Sequence, residues 1–334
     1  MAGTLSNRYN FLDLVSAKAG NGDYIKVAET LDKEYSLISI LPKVQANNGN
    51  VTTFQVRNDR PEVKRGIIGD FDPITKGSRA SKTVGVRKYS AVQEIVREEY
   101  EASPNADTYL SDEAESYMQK MRESLESDFF YSKGQIAGTA DIGFVGLSNI
   151  LNDVSDDRVE SATTSGNDDL SSIYFVIPGS DRVFSTYPER FPAGIDVKTT
   201  DWERQEGTTI DGDAGVREVK SKTFRMFAGL CVKDPRSIAR LANIDTDDKT
   251  TLTYDQVTKV LDVVMRPSDA MKAHMFMSQT VKHMFRLDAN EKTNANFEGT
   301  DSAGKVYGKP VDLFAGQIPM HISESILDAE ERVA

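Results

Sequence analysis

The stretch that decides the fold runs from Ser172 to Gly179, SIYFVIPG. Ile173 to Ile177 are all β-branched or aromatic, and Pro178-Gly179 closes the run, so it reads as a buried strand. A second apolar run, KTFRMFAGLCVKD from Lys222 to Asp234, leads straight into DPRSIARLANID. Asp234 suits an N-cap and Pro235 the first helical position, so the pattern predicts a helix over 234–245.

The clearest helix lies upstream, after Ser103-Pro104. Leu110, Ala114, Tyr117, Met118, Met121, Leu125 and Phe129 fall on one stripe, with Asp112, Glu113, Glu115, Lys120, Arg122 and Glu123 off it. It ends in FFYSKG, where Gly134 suits a C-terminal stop. About 25 residues make a rod of nearly 40 Å, a spine for a flat or elongated subunit. Before it, VTTFQVR and VGVRKYSAVQEIV read as strands separated by RPEVKRGIIGDFDPITKGSRASK, rich in charge, Gly and Pro. Such a two-stranded excursion buries little by itself and needs another surface to rest on. Asp23 to Leu41 carries apolar residues at helical spacing until Pro42, and Met1 to Gly22 reads as an arm in want of a partner surface.

Toward the C-terminus, Tyr254 to Met265 reads as a helix ended by Pro267, AHMFMS as a strand and QTVKHMFRLDA as a helix. VYGKPVDLFAGQIPMHIS then gives strand, turn and strand. Strands and helices alternate without a regular βαβ period, which makes the fold class α+β. No repeat of 20 to 50 residues is present, which excludes solenoids and propellers.

The 334 residues are 39% hydrophobic, enough for a large buried core. Lys and Arg total 40 against 52 Asp and Glu, a net charge of -12, which argues against a dedicated binder of phosphate backbones. The start, MAGTLSNRYNFLDL, has no basic segment followed by an apolar one, and no run approaches a membrane span, so synthesis and retention in a cytoplasm are expected, with no membrane contact. Cys231 sits in an apolar run, where an inert buried thiol is expected.

Chemistry is hard to place. His274, His283 and His321 are separated and lack acidic or Cys partners at ligand spacing. Asp245-Thr246-Asp247-Asp248 resembles a calcium loop, but Thr250 stands where that loop needs Gly and Gln256 where it needs Glu, so a solvated turn between helices is expected. Asp211 to Gly215, DGDAG, reads as a loop tip. No nucleotide, nucleophile-elbow or Cys-pair motif occurs. No catalytic, cofactor-binding or metal-binding residue is therefore assigned, and no cofactor. The informative feature is an asymmetry: Arg57, Arg60, Lys64, Arg65, Lys76, Arg79 and Lys82, with Arg87 and Lys88, gather in the two-stranded region of an acidic protein. Aromatic platforms for single strands are sparse there, so an arm resting on the acidic body of another copy is the expected role of those side chains.

The passage from Ser172 to Asp201, with Gly179, Tyr187, Pro188, Ala193 and Gly194, resembles the major capsid proteins of tailed double-stranded DNA bacteriophages, of the Hong Kong 97 fold and in particular its epsilon15-type branch. Gly229, Leu230, Asp234, Arg236, Arg240, Ala242, Asn243, Ile244 and Asp245 continue the pattern, as do MFMSQTVKHMFRLDA and FAGQIPMHISESILDAEERV. The resemblance is strong from Phe129 onward; before that it rests on the order of elements.

It implies an N-terminal arm and helix over 1–42, an extended β-hairpin loop, the E-loop, over 43–100, and a peripheral domain with the spine helix over 101–172. An axial domain would span 173–270, and 271–334 would return to the peripheral domain. The implied function is structural: hexamers and pentamers closing an icosahedral shell around a dsDNA genome, assembled in the host cytoplasm and resident in the virion. Scaffolding and portal proteins are the implied partners, with room for a decoration protein, and the DNA would be touched weakly and non-specifically. An absent long charged helical prefix argues against a fused scaffold, and no Lys, Asn and acidic trio for covalent crosslinking can be matched. An encapsulin-like nanocompartment shares the implied fold. A metal-dependent soluble hydrolase and a tail or decoration protein are the readings from other classes.

Overall fold

The computed structural model describes residues 36–57, 59–63, 65, 74–103, 105–135, 142–163, 169–191, 195–208, 213–248, 251–264, 272–291, 313–314 and 318–333. They fall into two compact units. One draws on Lys88–Leu125 and Gly194–Phe227, the other on Glu34–Arg87, Glu126–Ala193 and Ala228–Ala334. Most of the expected helix over 23–41 lies outside the described residues; its end is α1, Ser36–Ile40.

The second unit is organised by strand β8, Leu170–Val176, in which every residue is buried. It lies inside a six-stranded sheet, antiparallel on one side to β12, Ile238–Asp245, and on the other to β13, His274–Met277. β7, Val159–Ser161, adds in parallel to β12, while β15, Ile318–Ile322, adds in parallel to β13 and carries the short β14, Leu313–Phe314. Burial on both faces explains the continuous apolar character of SIYFVI. On one face Ile173, Phe175, Ala239, Leu241 and Met275 join the main core. Val257 of helix α5, Tyr254–Lys259, and Val281, Met284 and Phe285 of helix α6, Gln279–Glu291, complete it.

The expected helix over 234–245 is not there. Asp234 does cap, accepting a hydrogen bond from the backbone N–H of Arg236, but what it caps is a single 3-10 turn, Pro235–Ser237, and the chain then becomes β12. The apolar positions of IARLANI fit either period; a place between β7 and β8, dry on both faces, selects the strand. The Asp245–Asp248 turn consequently joins a strand to a helix, with the Asp245 carboxylate accepting from the N–H groups of Asp247 and Asp248. The helix expected over 254–265 is α-helical only to Lys259 and continues as a π turn, Val260–Val264.

The opposite face of the sheet holds a charged network. Arg240 and Glu330 pair at 2.8 Å with side chains 2% and 5% exposed. Glu330 also accepts from Tyr174 at 3.0 Å and from the hydroxyls of Ser172 and Tyr131. Arg240 donates further to Ser172 at 3.0 Å and to the Leu151 carbonyl at 2.8 Å, and lies over the Tyr174 ring. Burial and the neighbouring carboxylate push the Tyr131 and Tyr174 phenols above the usual tyrosine range. Nearby, Asn243, in left-handed backbone at φ 58, both donates to the Val333 carbonyl and accepts from its N–H, each at 2.9 Å. Glu330 and Asn243 thus fasten the C-terminal segment across β8 and β12.

The first unit is built on the spine helix α3, Ala106–Tyr131, which the sequence places within a few residues. Of the stripe, Ala114, Met121 and Leu125 are buried along it while Leu110, Tyr117 and Met118 are half-buried; Tyr109, outside the stripe, is buried as well. Tyr117 stacks on Phe224 of strand β11, Ala214–Val232. β11 pairs antiparallel with β10, Ile195–Thr208, and also with β4, Arg87–Val96. β10 has no apolar alternation to announce it. Its side chains are mainly exposed, and it is a strand because β11 offers it an edge.

In the second unit β11 continues along Gly229–Val232 beside β9, Val183–Tyr187, which pairs in parallel with β1, Lys43–Gln45. Cys231 is fully buried there, and burial pushes its thiol up to about 12. We expect Cys231 to resist alkylation by iodoacetamide at pH 8 in the native chain and to react once the chain is denatured; equal rates in both states would contradict this burial.

Candidate assembly surface

The basic cluster read from the sequence sits on a hairpin. β2, Val51–Arg57, and β3, Arg79–Gly85, pair antiparallel from Val51↔Gly85 to Arg57↔Arg79. Its root is well fastened. The Asn47 side chain donates to the Thr53 carbonyl at 2.7 Å and accepts from the Thr53 N–H at 2.8 Å, and the hydroxyls of Thr52 and Thr186 meet at 2.5 Å. Gly229 lets the backbone at Gly85 come close, since a Cβ there would lie 2.6 Å from the Gly85 carbonyl oxygen. Just beyond, Arg87 pairs with Asp128 at 2.7 Å and covers the ring of Phe144 on β6, Ile142–Val145, which pairs antiparallel with β5, Lys133–Gln135, and is followed by the short helix α4, Leu147–Ile150.

The far half is the reverse. Arg57, Arg60, Arg65, Lys76, Arg79 and Lys82 are all exposed, and none forms an ion pair among the described residues; Lys64 lies outside them. Arg57 stands directly opposite Arg79 across the ladder, a like-charge pair that disfavours the isolated hairpin. Two apolar side chains accompany the cations: Val63 is 87% and Ile74 104% exposed. Among the described residues of the loop, the Thr75 hydroxyl donates to the Glu62 carbonyl at 2.9 Å, and the Asp59 N–H to that of Ser78 at 3.4 Å. Val63 and Ile74 carry no periodic signal, so the sequence reading missed them. The structure places Arg57, Arg79 and Lys82 on the two strands and Arg60, Arg65 and Lys76 in the connection between them.

Exposed carboxylates gather elsewhere in the chain. In the first unit Glu98 and Glu101 of helix α2, Arg97–Ala102, and Asp107 and Glu115 of α3 are exposed. Arg97 is already engaged by Glu101 at 2.7 Å and Glu218 at 2.5 Å, and lies over Trp202.

No cluster of three or more His, Cys, Asp or Glu that could hold a metal occurs among the described residues, and Asp211 and Gly212 lie outside them. His274 Nδ1 and His321 Nε2 do meet at 3.0 Å across β13 and β15, which the sequence spacing could not reveal. Burial lowers the His274 pKa. Their contact is a hydrogen bond between two half-buried rings. Among the described residues no helix is long and apolar enough to cross a membrane.

Known proteins place this architecture. A chain from the cryo-EM structure of Bacteriophage Epsilon15 is 20% identical, with 100% of this chain and 99% of that chain covered at a TM-score of 0.73. The Bacteriophage JBD30 capsid chain is 10% identical, covering 89% and 93% at a TM-score of 0.48. The SrpI encapsulin of Synechococcus elongatus is 12% identical, covering 71% and 96% at 0.45. No curated protein sequence matches. The family described as "Major capsid protein GP7" matches residues 19–334, nearly the whole chain. The chain therefore belongs to the GP7 family of major capsid proteins, shares the Hong Kong 97-type fold of phage heads, and is a structural component of the tailed-phage capsid and not an enzyme.

Proposed function

We propose that the subunit assembles into hexamers and pentamers that close an icosahedral shell around dsDNA, with the β2–β3 hairpin of each copy lying on the acidic surface of the next. One observation carries this reading: a firmly rooted hairpin carries six exposed cations that form no ion pair among the described residues, and two bare apolar side chains. Such a surface is unfavourable in a lone subunit and matches a partner that offers carboxylates and an apolar seat. Within this reading 1–42 is the arm, 43–100 the extended loop, 101–172 with 271–334 the peripheral domain and 173–270 the axial domain. Assembly takes place in the host cytoplasm. Scaffolding and portal proteins are the expected partners, and a decoration protein would join the finished lattice. The acid excess keeps contact with the packaged DNA weak, leaving the genome mobile.

The double substitution Arg79→Glu and Lys82→Glu tests the charge complementarity. Each exposed contact contributes only about 0.2–1 kcal/mol, but a shell repeats it in every copy. We expect the folded subunit to survive while sedimentation finds few or no closed particles at low salt. Wild-type particle yield from the reversed hairpin would remove charge pairing from the proposal. Nuclease-protected DNA inside particles purified from infected cells separates a genome shell from a protein-carrying compartment.

A further inference from the structure

Three segments far apart in sequence converge on one carboxylate. Glu126, in the last turns of α3, is fully buried. It accepts the Ser323 hydroxyl at 2.6 Å and the backbone N–H groups of Leu37 and Ile38 at 3.4 and 3.3 Å. The Ser36 hydroxyl donates in turn to the Ile322 carbonyl at 2.9 Å. The start of α1 is thus tied to the end of β15 twice, once directly and once through the carboxylate. Ser323 is itself fully buried, its N–H bound to the Met277 carbonyl at 3.0 Å.

No cation takes part: among the described residues Glu126 forms no ion pair. Burial raises the pKa of this carboxyl, against the pull of the Ser323 hydroxyl and the backbone N–H groups of Ser36, Leu37 and Ile38. A buried anion without a counter-charge is a poor source of stability, and an apolar side chain of similar volume would fill the space at lower cost. What the carboxylate supplies, and an apolar group cannot, is a pair of acceptors that hold donors from two separate segments at once.

We propose that Glu126 is a latch that makes order at the root of the N-terminal segment, α1, conditional on order at the C-terminal end of β15, and the reverse. Linkage requires the coupling to be reciprocal. Since residues 1–35 lead directly into α1, anything that binds or pulls that segment is felt at β15 and, through its parallel ladder, at β13. This inference does not depend on how copies of the subunit meet.

Amide hydrogen exchange on the full-length chain tests it with two variants. Glu126→Gln keeps the shape but offers one acceptor and one NH2 group to a set of donors, leaving an N–H of α1 unmatched. Ser323→Ala removes the hydroxyl without touching α1. We expect Glu126→Gln to speed exchange at Leu37, Ile38 and Ser323 by about tenfold, the equilibrium factor of one lost hydrogen bond. Ser323→Ala should speed Leu37 and Ile38 by a smaller but clear factor, while β8 and β12 stay protected as in the wild type. Unchanged exchange at Leu37 and Ile38 in Ser323→Ala overturns the latch, and that variant decides alone should Glu126→Gln not fold. Equal loosening of β8 in either variant also overturns it, because the effect would then be general unfolding.

Discussion

Glu330→Ala is expected to remove on the order of 3–5 kcal/mol of stability, because it leaves the Arg240 guanidinium, 2% exposed, without a counter-charge in the middle of the sheet. The loss extends beyond the pair, since the hydroxyls of Tyr131, Tyr174 and Ser172 all give up the same acceptor. For a domain whose total stability is about 5–15 kcal/mol, this is a large share, and thermal unfolding should begin roughly 10 °C earlier. Arg240→Met should be damaging for the mirror-image reason, stranding the carboxylate. The double variant Arg240→Met with Glu330→Met is expected to be less destabilised than either single change, since no charge is then left unpaired. Additive losses in that cycle would mean that the two side chains act independently, against the geometry.

Deleting the loop tip, Arg65 to Ser78, is expected to leave a folded subunit that cannot build a sound shell. Of the deleted residues that the structure describes, Arg65, Ile74, Thr75, Lys76 and Ser78 are exposed, Ile74 fully so. Subunit melting should therefore change by less than about 1 kcal/mol, as for surface changes in general. Closed particles should vanish from sedimentation profiles, or break under dilution that leaves wild-type shells intact. Normal, robust shells from the shortened chain would sink the overlap of neighbouring copies by this loop. Loss of the folded subunit would show that the tip belongs to the core of its own chain.

Much of the fold was legible because its signals are local. The spine helix follows from one apolar stripe, and β8 from an unbroken β-branched and aromatic run. The hairpin was only half legible: VTTFQVR does form β2, but the sequence pattern puts Arg79–Lys82 in the connection and makes the segment from Val84 to Val96 its partner strand, whereas β2 pairs with β3, Arg79–Gly85, and Arg87–Val96 forms β4 beside β11. Legibility failed where partners far along the chain decide the outcome. IARLANI reads as a helix until β7 and β8 are known to flank it. β10 has little apolar signal because it borrows its order from β11. The buried charges were equally hidden: nothing near Glu330 in sequence announces Arg240, ninety positions away, and Glu126 looks like one more polar residue of an acidic helix. The basic residues of the hairpin were visible as a group because charge counts need no geometry, whereas Val63 and Ile74 needed a measured exposure.

The face-off of Arg57 and Arg79 at the end of the hairpin bears on the order of events when many subunits are crowded together. A bare two-stranded projection invites its twins on other molecules to stack on it edge to edge, the usual beginning of a fibre. Two guanidinium groups at the same level make such a meeting of twins repulsive over about one Debye length. An acidic flank is attractive over the same range. If each hairpin docks on a neighbour as proposed, the projection would sort its encounters before any close fit is reached, discouraging disordered clumps and leaving the ordered lattice as the accessible route.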